Sequence, residues 1–267
     1  TYGVNGNLLG PTLVVEKDSE ITIHVTNHLN STTTMHWHGL HVPAIYDGGP
    51  DQVIPIDSTW TVHFPVLNNA GTFWYHPHGL GKTDLQVSRG IAGFIIVHDS
   101  TEATLNLPST YGVDDIPLVI QSKAFDVLHQ IAIATEFDTL MMVNGTVNPA
   151  TNLPAQIVRL RLLNGSSMRS YNVGFNNNMF FYQIATDGGL MQSPVMLSRL
   201  VIAPGERAEI LVNLSPYLGQ TIGLMCFNST LPTGIYGATT VGNGMSQIPN
   251  YNLNPLNGSD FQLPKSL

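Results

Sequence analysis

The sequence predicts an all-β protein built from two Greek-key β-sandwich domains in tandem, and three observations carry that prediction. Charged residues make up only 10% of the 267-residue chain, well under the roughly 25% of an average globular protein, while Thr, Ser, Asn and Gly abound and short Val/Ile runs recur. Apolar and polar residues alternate with a period of two in one segment after another, and nothing carries the period of a long amphipathic helix. The two halves also run through the same order of events at low similarity. The chain therefore reads as an internal duplication, with units of about 100 to 130 residues that each suit a Greek-key sandwich.

The individual strands follow from the pattern. In residues 20–27, Ile21, Ile23 and Val25 alternate with Thr22, His24 and Thr26, a half-buried strand that turns His24 outward. In residues 58–66, Trp60, Val62 and Phe64 share one face, Thr61 and His63 the other, and Pro65 weakens further pairing. Residues 93–99 begin with a continuous apolar run, as expected of a strand covered on both faces, with His98 at its exit. Residues 157–164, 199–214 and 221–227 repeat the same grammar. In the first half a strand leads to "TMHWHGLH" and then to the turn Asp47-Gly48-Gly49. In the second half a strand leads to "SMRSYNVG" and then to Asp187-Gly188-Gly189. The expected organisation is a first domain over 1–100, a polar, proline-containing connection over 101–116 and a second domain over 117–243. The Asn- and Pro-rich tail over 244–267 has the look of an interdomain linker.

Composition excludes several function classes. A net charge of −8 with only ten Lys and Arg leaves no basic stripe for phosphates, so nucleic acid is not an expected partner. The longest apolar run, 91–97, falls far short of the ~18 residues of a membrane span, and no charged-then-apolar leader precedes Thr1. A soluble chain with any signal peptide already removed is expected. The single cysteine, Cys226, rules out an internal disulfide and a CxxC metal knuckle. Asn-x-Ser/Thr triplets at Asn30, Asn144, Asn164, Asn213, Asn228 and Asn257 are what chance supplies in a chain so rich in these residues. The nine methionines are dispersed and read as core filling.

The histidines are the chemical signal. All ten lie at or before residue 129, and two pairs stand out: His36 and His38 in "HWHG", His76 and His78 in "YHPHG". Residues two apart on a strand share a face about 6.6 Å apart, so each pair aims both imidazoles the same way and can hold one metal or straddle two. Neutral imidazole suits copper, zinc, iron or nickel. The lack of thiolates or several carboxylates points away from calcium and magnesium. Pro77 favours an irregular strand end for the second pair. One such pair alone would be two ordinary solvated histidines; two pairs, each followed by Gly and each near a Trp, predict a metal site. His36, His38 and His41 also trace the HxHxxH outline of binuclear zinc hydrolases. That class stays only as an alternative, since Leu40 stands where an Asp is needed and the required helices are missing.

The stretches "TMHWHGLHVPAIYDGGP", "GTFWYHPHGLGKTDLQVSRGIAGFIIV", "LRLLNGSSMRSYN" and "DGGLMQSPV" resemble the first two domains of a three-domain multicopper oxidase, closest in flavour to bacterial laccases and cuprous oxidases. The resemblance covers nearly the whole chain and implies two cupredoxin-like domains that bind copper. It makes His36 a ligand of a type 2 copper, His38 and His76 ligands of one type 3 copper, and His78 a ligand of the other. It makes Asp47 an acidic residue that assists proton delivery, beside the plainer reading of a turn Asp capping local amides. The implied reaction takes single electrons from a reducing small molecule, phenol-like or cuprous ion, and reduces dioxygen to water. The implied location is secreted or periplasmic.

The sequence also departs from that family. The resemblance calls for eight cluster histidines, and this chain has the first four. It also calls for a type 1 copper on a Cys flanked by His, whereas Cys226 sits between Met225 and Phe227 with no histidine after His129. Cys226 is read as a buried small hydrophobe. Arg169 and Tyr171 stand where the second unit would otherwise carry imidazoles, so that unit reads as a spacer without metal. The chain is thus expected to be the copper-binding portion of an oxidase, inactive alone, whose third cupredoxin domain comes in cis or in trans. The alternative is a non-catalytic copper-binding or scaffold protein.

Overall fold

Alternating Ile, Val and Thr make strands the dominant element, and these group into two units, one built mainly on Thr1–Asn106 and one mainly from Leu107 onward. The computed structural model describes residues 1–133, 138, 140–232, 235 and 265–266. The expected linker-like tail over 244–267 lies outside the described residues except for Lys265–Ser266.

In the first unit the strands are β1 (Leu13–Glu16), β2 (Glu20–Thr26), β3 (His36–His38), β4 (Thr59–Pro65), β5 (Gly71–His76) and β6 (Gly93–His98). Two short helices, α1 (Thr83–Ser88) and α2 (Ser100–Ala103), flank β6. One sheet contains the order β1-β6-β5-β3, and β2 pairs with β4 in the other. Because the chain passes back and forth between the sheets, β1 meets β6 in parallel, while β5 pairs antiparallel with both β6 and β3. The period-two pattern holds: Ile21, Val62 and Phe64 are buried, whereas Thr22, His24, Thr61 and His63 are exposed. Trp37 is 1% exposed at the centre of the core formed with Phe64, Phe73, Tyr75 and Val97. Its indole stacks on Trp60 at 6.4 Å and donates to the Tyr46 carbonyl at 3.0 Å.

The second unit comprises β7 (Asp115–Lys123), β8 (Leu140–Val143), β9 (Ile157–Asn164), β10 (Tyr171–Phe175), β11 (Phe181–Thr186), β12 (Gly189–Leu197), β13 (Leu200–Ile202), β14 (Arg207–Asn213) and β15 (Leu224–Cys226). A six-stranded sheet in the order β12-β11-β14-β9-β7-β8 faces a three-stranded one, β13-β10-β15. Its core joins Ile120, Leu162, Val173, Phe181 and Ile210 with Cys226. The charged residues of "IVRLRLLN" are wholly buried. Arg161 is held by Asp115 at 2.7 Å and by Glu209 at 2.9 Å, and Arg159 pairs with the same Glu209. Such a network is costly to desolvate and costlier to break, about 3–5 kcal/mol when one partner is removed. A final two-residue strand, β16 (Lys265–Ser266), runs parallel to β1 in the first unit's sheet.

The structure adds detail to three of the stretches read from the sequence. The stretch 101–116 holds more than a connection: α2 runs into it from Ser100, capped by Asp99 Oδ1 accepting from the Glu102 N–H at 2.7 Å, and β7 already starts at Asp115. The segment 199–214 is two strands, β13 and β14, split by a turn. The two Asp-Gly-Gly triplets are not structural counterparts. Asp187 and Gly188 form a two-residue hairpin connection between β11 and β12, whereas Asp47 closes a 3-10 turn, Ala44–Tyr46. Asn164 and Asn228 are buried and their side chains are engaged by backbone carbonyls, so those two triplets are structural. No helix among the described residues is long and apolar enough to cross a membrane.

Candidate metal centre

The pairing of β3 with β5 sets His36 opposite His76, Trp37 opposite Tyr75 and His38 opposite Trp74. Side chains alternate along both strands, so Trp37 and Tyr75 turn into the core while His36, His38, Trp74 and His76 share the opposite face. A one-residue slip of either strand would exchange the two sets. The large apolar Trp37 is thus what fixes the register of the histidines.

On that face three imidazoles converge. His36, His38 and His76 each offer a ring nitrogen within 4.8 Å of the others'. The His76 Nδ1 donates to the Pro77 carbonyl at 2.8 Å, which leaves Nε2 as its lone-pair nitrogen, 3.0 Å from His38 Nδ1. The His36 Nδ1 donates to the Asp47 carbonyl at 2.8 Å, so its Nε2 is the free ligand atom in the neutral ring. Burial pushes the His76 pKa down to about 3; the Pro77 hydrogen bond opposes that and the neighbouring His38, His36 and His78 add to it. His76 is therefore neutral at ordinary pH, the state in which imidazole binds a metal. A set of imidazole donors with no thiolate suits copper or zinc.

The other sequence-predicted residues take different places. His78 is exposed, its ring 5.3 Å from His36 and 6.0 Å from His76 between centroids. Asp47 reaches the site mainly through its backbone; its carboxylate Oδ1 lies 3.3 Å from His36 Nδ1 and its side chain is 41% exposed. Gly48 makes this approach possible. It has φ +76, and a Cβ there would stand 1.7 Å from the Met35 carbonyl oxygen. His41 is exposed, contributes a backbone N–H to Asn68 and stands outside the three-histidine group, so HxHxxH does not close around a metal.

Sequence reasoning missed residues that hold this arrangement. Trp74, 6% exposed, lies 4.1 Å from the His76 ring and 5.0 Å from the His38 ring, with its indole nitrogen unpartnered. Thr34, Lys82 and Gln86 tie the segment before β3 to the segment after His78. The run of three threonines before "MHWH" was the available signal, and it was legible only as polar sequence.

In the second unit, Arg169 and Tyr171 are wholly buried and engaged by protein. Arg169 pairs with Asp138 at 2.6 Å, and the Tyr171 hydroxyl shares a 2.6 Å hydrogen bond with Ser166. Burial raises the Tyr171 phenol above its ordinary range. Cys226, 4% exposed on β15 opposite Val173, has its thiol pushed up to about 12 by burial. It is a core residue, as its neighbours in sequence implied.

A family model described as multicopper oxidase matches residues 1–102. The multicopper oxidase mco of Staphylococcus haemolyticus (strain JCSC1435) is 41% identical over 238 residues, 86% of this chain and 52% of that protein. The cell division protein FtsP of Escherichia coli (strain K12) is 35% identical over 230 residues, 84% of this chain and 48% of that protein. Among solved structures, the laccase-like multi-copper oxidase CueO from the lignin-degrading bacterium Ochrobactrum sp. superposes with a TM-score of 0.77 at 39% identity, covering 83% of this chain and 51% of that one. The chain spans about half the length of the curated relatives it matches. The sandwiches are of the cupredoxin type found in those oxidases, copper is the metal such a donor set and such relatives imply together, and the chain belongs to the multicopper oxidase family.

Proposed function

We propose that the chain supplies half of the oxygen-reducing centre of a multicopper oxidase. His36 serves a type 2 copper, His38 and His76 one type 3 copper, and His78 the other. A third cupredoxin domain, in cis or in trans, contributes the remaining imidazoles and the type 1 copper. The observation that carries this reading is the convergence of three imidazole ligand atoms within 4.8 Å on one sheet face. Bound copper would supply one-electron redox chemistry. The overall reaction takes single electrons from a reducing small molecule, phenol-like or cuprous ion, and gives four electrons and four protons to dioxygen, leaving two waters.

The chain's own residues have separable tasks. His76 stays neutral and ready to ligate because it is buried. The Asp47 carbonyl orients the His36 ring, and the Asp47 carboxylate, partly exposed and 3.3 Å from that ring, stands where protons pass between solvent and the site. Trp74 lies against His38 and His76 and excludes water from that side. Cys226 takes no part: a thiol with its pKa near 12 in an apolar core, without histidine beside it, does not build a blue copper site. The proposed location is secreted or periplasmic.

A second reading, a non-catalytic copper-binding or scaffold protein, draws support from the relatives named as cell division proteins. Oxygen uptake by the copper-loaded full-length protein, with a phenol or cuprous ion as reductant, separates the two. The oxidase reading expects uptake with water as product and near-complete loss of uptake in His38→Ala. Copper binding without uptake from either reductant favours the scaffold.

A further inference from the structure

The β3–β5 ladder accounts for His36, His38 and His76, but not for His78, which follows Pro77 beyond the last strand residue. With His36 facing His76, the same antiparallel register carried two residues further would set Thr34 opposite His78. The structure does join those two residues, though not by a backbone pair: the His78 N–H donates to the Thr34 hydroxyl oxygen at 2.6 Å. A side-chain oxygen thus stands in for the ladder bond past Pro77.

That oxygen is itself anchored. Thr34 is 1% exposed, and so is Gln86 on α1. The Thr33 hydroxyl donates to Gln86 Oε1 at 2.9 Å, the Gln86 Nε2 donates to the Thr32 carbonyl at 3.0 Å, and the Lys82 Nζ donates to the Thr32 hydroxyl at 2.7 Å. Thr33 and Ile54 exchange backbone bonds of 3.2 and 2.8 Å. Three successive threonines therefore clasp the segment running from His78 through α1. The clasp ties together the two places in the chain from which the histidine pairs come.

We propose that Thr34 is a positioning residue of the metal centre, its hydroxyl setting where the His78 imidazole stands relative to His36 and His76, with Gln86 holding Thr34's segment in place. This rests on the copper-site reading above. Thr34→Val keeps the shape and removes the acceptor; Thr34→Ser keeps the acceptor. Copper-free full-length protein is titrated with Cu(II) against a competing chelator, and its copper EPR spectrum is recorded. Thr34→Val is expected to weaken binding by about tenfold or more, in line with other partners that orient metal ligands, and to change the copper hyperfine splitting. Thr34→Ser is expected to restore both. Gln86→Met, read alongside in case Thr34→Val fails to fold, is expected to shift affinity the same way by a smaller factor. Wild-type affinity and spectrum in Thr34→Val, or lowered thermal stability with an unaltered copper spectrum, overturns the proposal. His36→Ala and His76→Ala serve as controls: if they too bind copper as the wild type does, the copper-site reading itself has failed.

Discussion

At the scale of the residue, His76 shows how one environment serves both chemistry and pH dependence. It is 6% exposed and ringed by His38, His36 and His78. Its folded pKa of about 3 lies below its unfolded value of about 6.5. Between those values the unfolded chain holds a proton on this ring and the folded chain does not, so falling pH favours unfolding. The effect is absent above the unfolded pKa, grows by up to about 1.4 kcal/mol per pH unit as pH drops, and stops growing below the folded pKa. Denaturant titrations of the copper-free protein at several pH values between about 7 and 4 are expected to show this loss, and His76→Gln to reduce the slope. An unchanged slope in the variant would mean that His76 is not the group that titrates. Copper binding should offset the loss, since a ligated ring has no lone pair for the proton.

At the scale of the element, the short strand β3 does more than its length suggests. Trp37 buries its indole between Trp60, Phe64 and Tyr75, and truncation of such a residue to alanine costs about 3–5 kcal/mol. That burial fixes the register in which His36 and His38 meet His76 and Trp74. The loop carrying Asp47 is fitted to the same strand through Gly48, whose positive φ and missing side chain let it pass the Met35 carbonyl. Gly48→Ala is expected to destabilise the protein by about 1–3 kcal/mol and to weaken copper binding by displacing the Asp47 carbonyl from His36. Thermal unfolding and copper titration of the one variant report both effects, and a variant that unfolds and binds copper as the wild type does would show that the loop has another way past β3. The second unit's strands make a useful contrast. Where β3 carries His36 and His38, the corresponding sequence carries Arg169 and Tyr171, which pair within the unit with Asp138 and Ser166.

At the scale of the whole molecule, much was legible because strand periodicity and metal-ligand spacing are local. The alternation in β2 and β4 told which residues face outward, and the paired histidines announced themselves two by two. What depended on distant segments meeting was not legible. Nothing local says that a Thr34 hydroxyl reaches His78, that Gln86 on α1 anchors Thr33, or that Asp47 meets His36 through its carbonyl. The repeated Asp-Gly-Gly misled for the same reason: a triplet that permits a turn does not specify which turn. The buried Arg159–Glu209–Arg161–Asp115 network was hidden inside what read as an ordinary strand. The face shared by β3 and β5 is the proposed copper site, made of imidazoles. Its most direct test is copper binding, measured by titration and by metal content after desalting, in the protein and in the variant with His36, His38 and His76 all replaced by alanine. Retention of copper by the protein and loss of the copper held at this face in the triple variant is the predicted result; equal copper in both would contradict it.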